Sequence, residues 1–340
     1  MAGTKKKTWN IALRIAISAS LIIFVVWHAG GVAEIVRILS GLHLLAVIGV
    51  LALCTADRAL MSYKWALLLT ARGLQLPLIK GMKIYCASMI WGMFLPTTVG
   101  ADAIRGSIAM RMGFEGNEIF ASITIERLIG FIAGIGLGIV GLALLRQVSD
   151  FGLTARYIGY VWAAATAMLL VALLAFLISF NRRTFSFVHE RLLGGVRRHK
   201  IARRLRQFHE IYMGYHENKH TLMLFFVLTV IEQMIPIVES AWIAWGMGIR
   251  LSLIQISGVV ILTHLLARLP ISIDGLGVFE GTFVLLFSFV GVSAAEALAI
   301  AVTGRILQTA SWIPWWLLHV AQGGHVPVTI TAQNGDQRIK

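Results

Sequence analysis

Residues 94–105 read Phe94-Leu95-Pro96-Thr97-Thr98-Val99-Gly100-Ala101-Asp102-Ala103-Ile104-Arg105, and this stretch decides the fold. Apolar pieces flank it, residues 84–95 before the break and 101–112 after it. A helix needs ~20 residues to cross the hydrocarbon core, so neither piece crosses alone. Pro96 removes a backbone donor, and Gly100 lets backbone approach closely. The stretch reads as a hairpin that enters and leaves through one face. Backbone freed by such a break finds no partner in hydrocarbon, so it survives only where protein buries it or where it lines a polar cavity. Transporters place broken helices at their binding sites because half-helix ends present partial charge to the substrate. A phosphate fits the N-terminus of the helix that starts near Ala101.

A second break follows at Arg268-Leu269-Pro270-Ile271-Ser272-Ile273-Asp274-Gly275. Its flanks, 252–269 and 276–291, are each nearly span length, so this region is either two crossings or a second hairpin. Leu95-Pro96 recurs as Leu269-Pro270, 174 residues on; Gly100 finds Gly275 after 175, and Arg127 finds Arg305 after 178. These few identities leave an inverted internal repeat open.

Around the breaks the chain is apolar throughout. Hydrophobic residues make up 58% and charged residues 14%, which excludes an ordinary soluble domain. Spans are expected at 9–28, 41–56, 118–145, 156–180, 220–247 and 295–320. The second is expected to end at Asp57 and Arg58, with 57–83 forming a basic loop or interfacial helix. The expected architecture is an all-α polytopic membrane protein with about six full spans and two broken or re-entrant elements, or eight helices with one hairpin. Residues 1–325 form one transmembrane domain, and 326–340 form a polar tail.

The net charge of +14 is concentrated, with ten Lys/Arg against three Glu in 181–219. That pattern marks a cytoplasmic loop beside anionic lipid rather than a nucleic-acid face. With Lys5, Lys6 and Lys7 inside, both basic loops and both termini fall on the cytoplasmic side. The loop also offers a surface for a cytoplasmic enzyme. Cys54 and Cys86 read as buried apolar residues, and the three His-Glu pairs of the basic loop as solvated faces. No metal or cofactor is expected. No P-loop, G-x-S-x-G or H-E-x-x-H pattern occurs, so ATP hydrolysis by that route is excluded and no enzyme activity is assigned.

Charges inside the apolar frame carry the functional expectation. Asp102 and Arg105, three apart, share a helix face and can pair. Glu126 and Arg127 sit roughly 12 Å into their helix at 1.5 Å per residue. Arg127 is expected to meet an anionic headgroup, with Glu126 orienting it. In the second half Arg268, Asp274, Gly277 and Glu280 surround the break, and Arg305 lies mid-span with Gln308 one turn on. Glu232 and Glu239 fall on one face of their helix.

These pieces resemble the lysylphosphatidylglycerol synthase transmembrane (flippase-like) family. The matching motifs are Phe94-Leu95-Pro96-x-x-x-Gly100-x-Asp102-x-x-Arg105, Glu126-Arg127-Leu128-Ile129-Gly130, and Leu269-Pro270-Ile271-Ser272-x-x-Gly275-x-Gly277-Val278-x-Glu280. A weaker match covers Gly291-Val292-Ser293 and the Ala-rich run to Arg305. The chain departs from the family at Ala101, Asp274 and Phe279, where Gly, Gly and Arg are frequent. The resemblance implies ATP-independent movement of an anionic or phosphate-bearing lipid across the bacterial inner membrane. Aminoacylated phosphatidylglycerol and polyprenyl-phosphate-linked lipids are the implied cargoes. With the charges and breaks read above, substrate contacts are expected at Pro96, Gly100, Asp102, Arg105, Glu126, Arg127, Arg268, Pro270, Asp274, Gly275, Gly277, Glu280 and Arg305. With about 20 residues after the last span, no soluble synthase half is expected. The alternatives are a membrane scaffold for a lipid- or glycan-pathway enzyme, or an intramembrane enzyme using Asp102 or Glu126 as base.

Overall fold

A computed structural model describes residues 19–93, 100–148, 155–179, 210–215, 217–267 and 275–322. The helices are α1 (Ala19–His28), α2 (Val32–Leu39), α3 (Leu44–Thr70), α4 (Leu78–Gly92), α5 (Gly100–Arg111), α6 (Gly116–Val148), α7 (Ala155–Ser179), α8 (Lys219–Gly246), α9 (Leu253–Ala267), α10 (Val278–Ser288) and α11 (Ala294–Ala321). Among the described residues, α3, α6 and α8 are each long and apolar enough to cross a bilayer. The all-helical, polytopic expectation is met. Pro96, Arg268, Pro270, Asp274, most of the basic loop and the tail lie outside the described residues.

Two expectations change. The second apolar run does not stop at Asp57; α3 continues as one helix to Thr70. Asp57 and Arg58 bond each other, and Lys64 Nζ lies 2.9 Å from Glu232 Oε2 on α8. Paired and turned inward, these charges give the helix no reason to end at them. Residues 29–40, outside the first two expected spans, hold a further helix, and α2 leaves α1 at a bend of 70°.

The second break joins two short helices that pack on each other. α9 has 15 residues and α10 has 11, roughly 22 Å and 17 Å at 1.5 Å per residue, both short of the ~30 Å core. α9 packs on α10 as α4 packs on α5.

The chain is an internal duplication. α3 and α8 begin at Leu44 and Lys219, and α4 and α9 at Leu78 and Leu253, both 175 apart; α5 and α10 begin at Gly100 and Val278, and α6 and α11 at Gly116 and Ala294, both 178 apart. Three residues are therefore inserted at the second break, and Gly100 corresponds to Val278 rather than to Gly275. Burial follows the same register. In α3 and α8 the pairs Val50/Phe225, Cys54/Thr229, Ser62/Ile237, Lys64/Glu239, Leu68/Ile243 and Leu69/Ala244 are all buried. The turns repeat too. Gly73 and Gly248 have φ of 75° and 74°, and Gly113 and Gly291 have 92° and 81°, each in the left-handed conformation that ends a helix.

Exchanging equivalent helices maps the packing onto itself. α4 packs on α11 as α9 packs on α6, α3 on α11 as α8 on α6, and α3 on α6 as α8 on α11. α3 and α8 pack on each other, and they run antiparallel. His43 N–H donates to Gly246 O, Gly49 abuts Trp242, Cys54 meets Glu239 and Lys64 meets Glu232. Equivalent helices that run oppositely across one axis make this an inverted repeat, the form in which many transporters are built. Small residues allow the close crossings. A Cβ on Gly141 would sit 3.0 Å from Ile261 Cβ, and one on Gly258 3.1 Å from Leu145 Cβ.

Candidate functional site

Both halves contribute to one cavity of about 1050 Å³ at the centre of the molecule. Its wall carries Arg58, Lys64, Arg127 and Arg305 beside Asp102, Glu126, Glu232 and Glu239, four cations and four acids. Met61, Pro236, Phe279 and Trp312 supply apolar wall. Broken helices, deep charges and a cavity between repeats occur together here, as the physics of backbone in hydrocarbon requires.

The first half builds a bonded polar network. Asp102, in the first turn of α5, accepts from Arg127 Nε at 2.6 Å and Nη2 at 2.8 Å. Its Oδ1 also accepts from Arg105 Nη2 at 3.2 Å. Arg105 Nη1 reaches Glu126 Oε2 at 3.0 Å, and Tyr85 O–H donates to Glu126 Oε1 at 2.5 Å. The Arg105 guanidinium lies over the rings of Tyr85 and Trp65, 4.4 Å and 5.0 Å from their centroids. Buried charges persist only with partners of this kind.

The two arginines therefore differ in role. Arg105 is 1% exposed, lies behind the residues that line the cavity, and joins α5 to α6. Arg127 lines the cavity with its side chain 56% exposed. Asp102 orients it, in place of the expected Glu126. A guanidinium has five donors, so the grip of Asp102 on Nε and Nη2 leaves Nη1 for an anion in the cavity.

The second half repeats the essential pair. Glu280 corresponds to Asp102 in the 178 register, and Arg305 to Arg127. Arg305 Nε lies 2.7 Å from Glu280 Oε1, and the guanidinium stands 5.4 Å from the Phe279 ring. Glu280 Oε2 accepts from Gly277 N–H at 2.7 Å, so the N-terminus of α10 is capped by its own acid. Each break is thus followed by a first-turn acid that holds an arginine of the next helix.

Around this pair the halves diverge. Phe283 replaces Arg105 and Gly304 replaces Glu126, so aromatic contacts stand where the first half has ion pairs. Phe279 stacks on Phe283 at 5.6 Å, and His264 meets Phe279 edge-on at 5.2 Å. Gly275 lines the cavity at the start of the turn, and Gly277 is the N-cap of α10. Gly100 opens α5 in a buried position.

The sequence reading passed over Asp57 and Lys64 as site residues because they looked like the edge of a loop. The 175 offset places them opposite Glu232 and Glu239, the two acids already marked on α8. The glycine pairs Gly73/Gly248 and Gly113/Gly291, at offsets 175 and 178, were the signal that would have fixed this register. No group of three metal-binding side chains occurs among the described residues.

These features define an all-α, polytopic membrane protein of inverted-repeat form, with a charged cavity between its halves. The family described as Lysylphosphatidylglycerol synthase TM region matches residues 11–315, and the chain belongs to that family. A UPF0104 membrane protein of Methanothermobacter thermautotrophicus (strain Delta H) is 26% identical over 202 residues. The match covers 56% of this chain and 56% of that protein, so the chain spans little more than half of its relative's length.

Proposed function

We propose that the protein is an ATP-independent lipid translocase of the inner membrane, which moves a phosphate-bearing lipid through the cavity between its halves. The observation that carries this reading is Arg127: a deep, half-exposed guanidinium whose acid partner leaves one edge open to the cavity. An arginine held this way recognises phosphate by a directional, charge-assisted bond. The headgroup passes between α5–α6 and α10–α11 while the acyl or prenyl tails stay in lipid. The Glu280–Arg305 pair, with its arginine side chain 27% exposed, receives the phosphate on the other side. The eight wall charges cancel, which suits a cavity that must release its ligand as readily as it takes it. No covalent chemistry is assigned, and residues 326–340 are treated as a tail.

The test is the purified protein in liposomes carrying a fluorescent anionic phospholipid or a polyprenyl-phosphate lipid that an external reductant quenches. Translocation appears as faster quenching of the inner-leaflet pool. Rates equal to those of protein-free vesicles, across both lipid classes, would sink the proposal.

A further inference from the structure

Among the described residues, five deep acids each have a cation within bonding reach. Asp57 has Arg58, Asp102 has Arg127, Glu126 has Arg105, Glu232 has Lys64, and Glu280 has Arg305. Glu239 differs. It is 8% exposed, lines the cavity, and accepts a bond only from the Cys54 thiol, at 3.3 Å to Oε1. A carboxylate at this depth with no counter-charge is costly.

The internal symmetry shows what is missing. In the 175 register, Lys64 and Glu232 correspond to Glu239 and Asp57, which also lie on α8 and α3. In the first pair, an ammonium sits 2.9 Å from a carboxylate. In the second, a carboxylate stands where the ammonium would be, and its counterpart is an acid already bonded to Arg58. Asp57 and Arg58 are close enough to act electrostatically on Glu239, beside the Cys54 thiol that donates to it. The helices packed on α8 bring the other titratable groups of the cavity: Lys64 on α3, Glu126 and Arg127 on α6, His264 on α9, and Arg305 on α11, with Glu232 on α8 itself. The pairs given above already engage all of these cations except His264.

We infer that Glu239 and Asp57 form a proton-binding site at the α3–α8 seam, in which a proton takes the place that the Lys64 ammonium fills in the symmetry-related pair. The inference rests on the translocation reading and specifies what accompanies the lipid. The proton comes from cavity water and adds to Glu239 Oε2, since Oε1 accepts from Cys54. On release it returns to water, and no other bond changes. Inverted repeats change face by exchanging the conformations of their halves. That exchange brings the Asp57 and Glu239 carboxylates to the separation now held by Lys64 and Glu232. Two ionised carboxylates resist such an approach, and one shared proton permits it. A metal cation fits poorly here, because one carboxylate is engaged by Arg58 and the next donor is a thiol.

The experiment uses the full chain in liposomes with a pH-sensitive dye inside, together with infrared spectra of the same protein. One bound proton per cycle predicts up to about a tenfold change in wild-type translocation rate per pH unit. An imposed pH gradient should drive lipid movement, with a matching change in internal pH. In E239Q the pH dependence should shrink to less than about twofold, and E239D should restore it. Dependence on a sodium gradient instead of a pH gradient overturns the inference. So does wild-type translocation indifferent to both gradients, which leaves the lipid reading intact. If the wild type moves no lipid, that reading fails by itself, and the carbonyl stretch of a protonated carboxylic acid decides the proton site. The same spectra decide if E239Q is inactive. A band that titrates in the wild type and is absent in E239Q supports the site; identical spectra overturn it.

Discussion

Two arginines that the sequence marks alike, Arg105 on α5 and Arg127 on α6, have opposite duties. Arg105 is enclosed by Asp102, Glu126, Tyr85 and Trp65, so its loss strands Glu126 with one phenol. Arg105→Met should destabilise the protein by about 3–5 kcal/mol, read as a fall in thermal midpoint in detergent. Arg127→Gln should cost no more than about 1 kcal/mol, because the side chain is half exposed. It should slow translocation at least about tenfold, the loss of ~1.4 kcal/mol of headgroup contact. A stable but fully active Arg127→Gln protein would remove the headgroup role. The sequence made these charges visible, since ionisable residues stand out in an apolar frame. It did not sort them, because which arginine faces the cavity depends on how α5 turns against α6. Lys64 was missed for a related reason: its partner Glu232 lies 168 residues away.

Hairpins of the kind formed by α4–α5 depend on one close approach. A Cβ on Gly92 would sit 2.7 Å from the Ala101 Cα, against backbone that cannot move aside. Gly92→Leu should cost about 1–3 kcal/mol or more through overpacking and broaden the size-exclusion peak. Gly136→Leu is the control, since a Cβ there meets nothing within 4 Å. The second break is held differently, by Glu280 acting on both Gly277 N–H and Arg305. Glu280→Gln weakens both contacts and should raise hydrogen exchange in α10 more than in α5. Exchange confined to α5 would contradict that account. Both breaks were legible from Pro and Gly in short apolar pieces. How the two pieces at the second break pack was not, because Leu253–Ala267 and the following run are apolar enough for two spans or for a hairpin.

The molecule as a whole is set by its repeat. If equivalent loops face opposite sides of the membrane, then Gln75 and Arg250, both exposed and 175 apart, lie on opposite faces. Gln75→Cys should react with a membrane-impermeant thiol reagent from one side only, and Arg250→Cys only from the other. The native thiols are buried and give little background. Labelling of both from the same side would refute the inverted arrangement. Sequence identity alone gave a thin case for duplication, because burial and turn conformation persisted while most side chains changed. Asp102 and Glu280 keep one role with different residues, and Lys64 and Glu239 share a position with opposite charge.

The antiparallel seam of α3 and α8 also bears on how halves can pair. Consider a protein made of two copies of one half, inserted in opposite directions. Two first halves would set Lys64 of each copy against Asp57 of the other, a self-complementary pairing made twice. Two second halves would set Glu239 against Glu232 twice, acid against acid. The charges of the first half alone would therefore complement a second copy inserted the opposite way, and those of the second half would not.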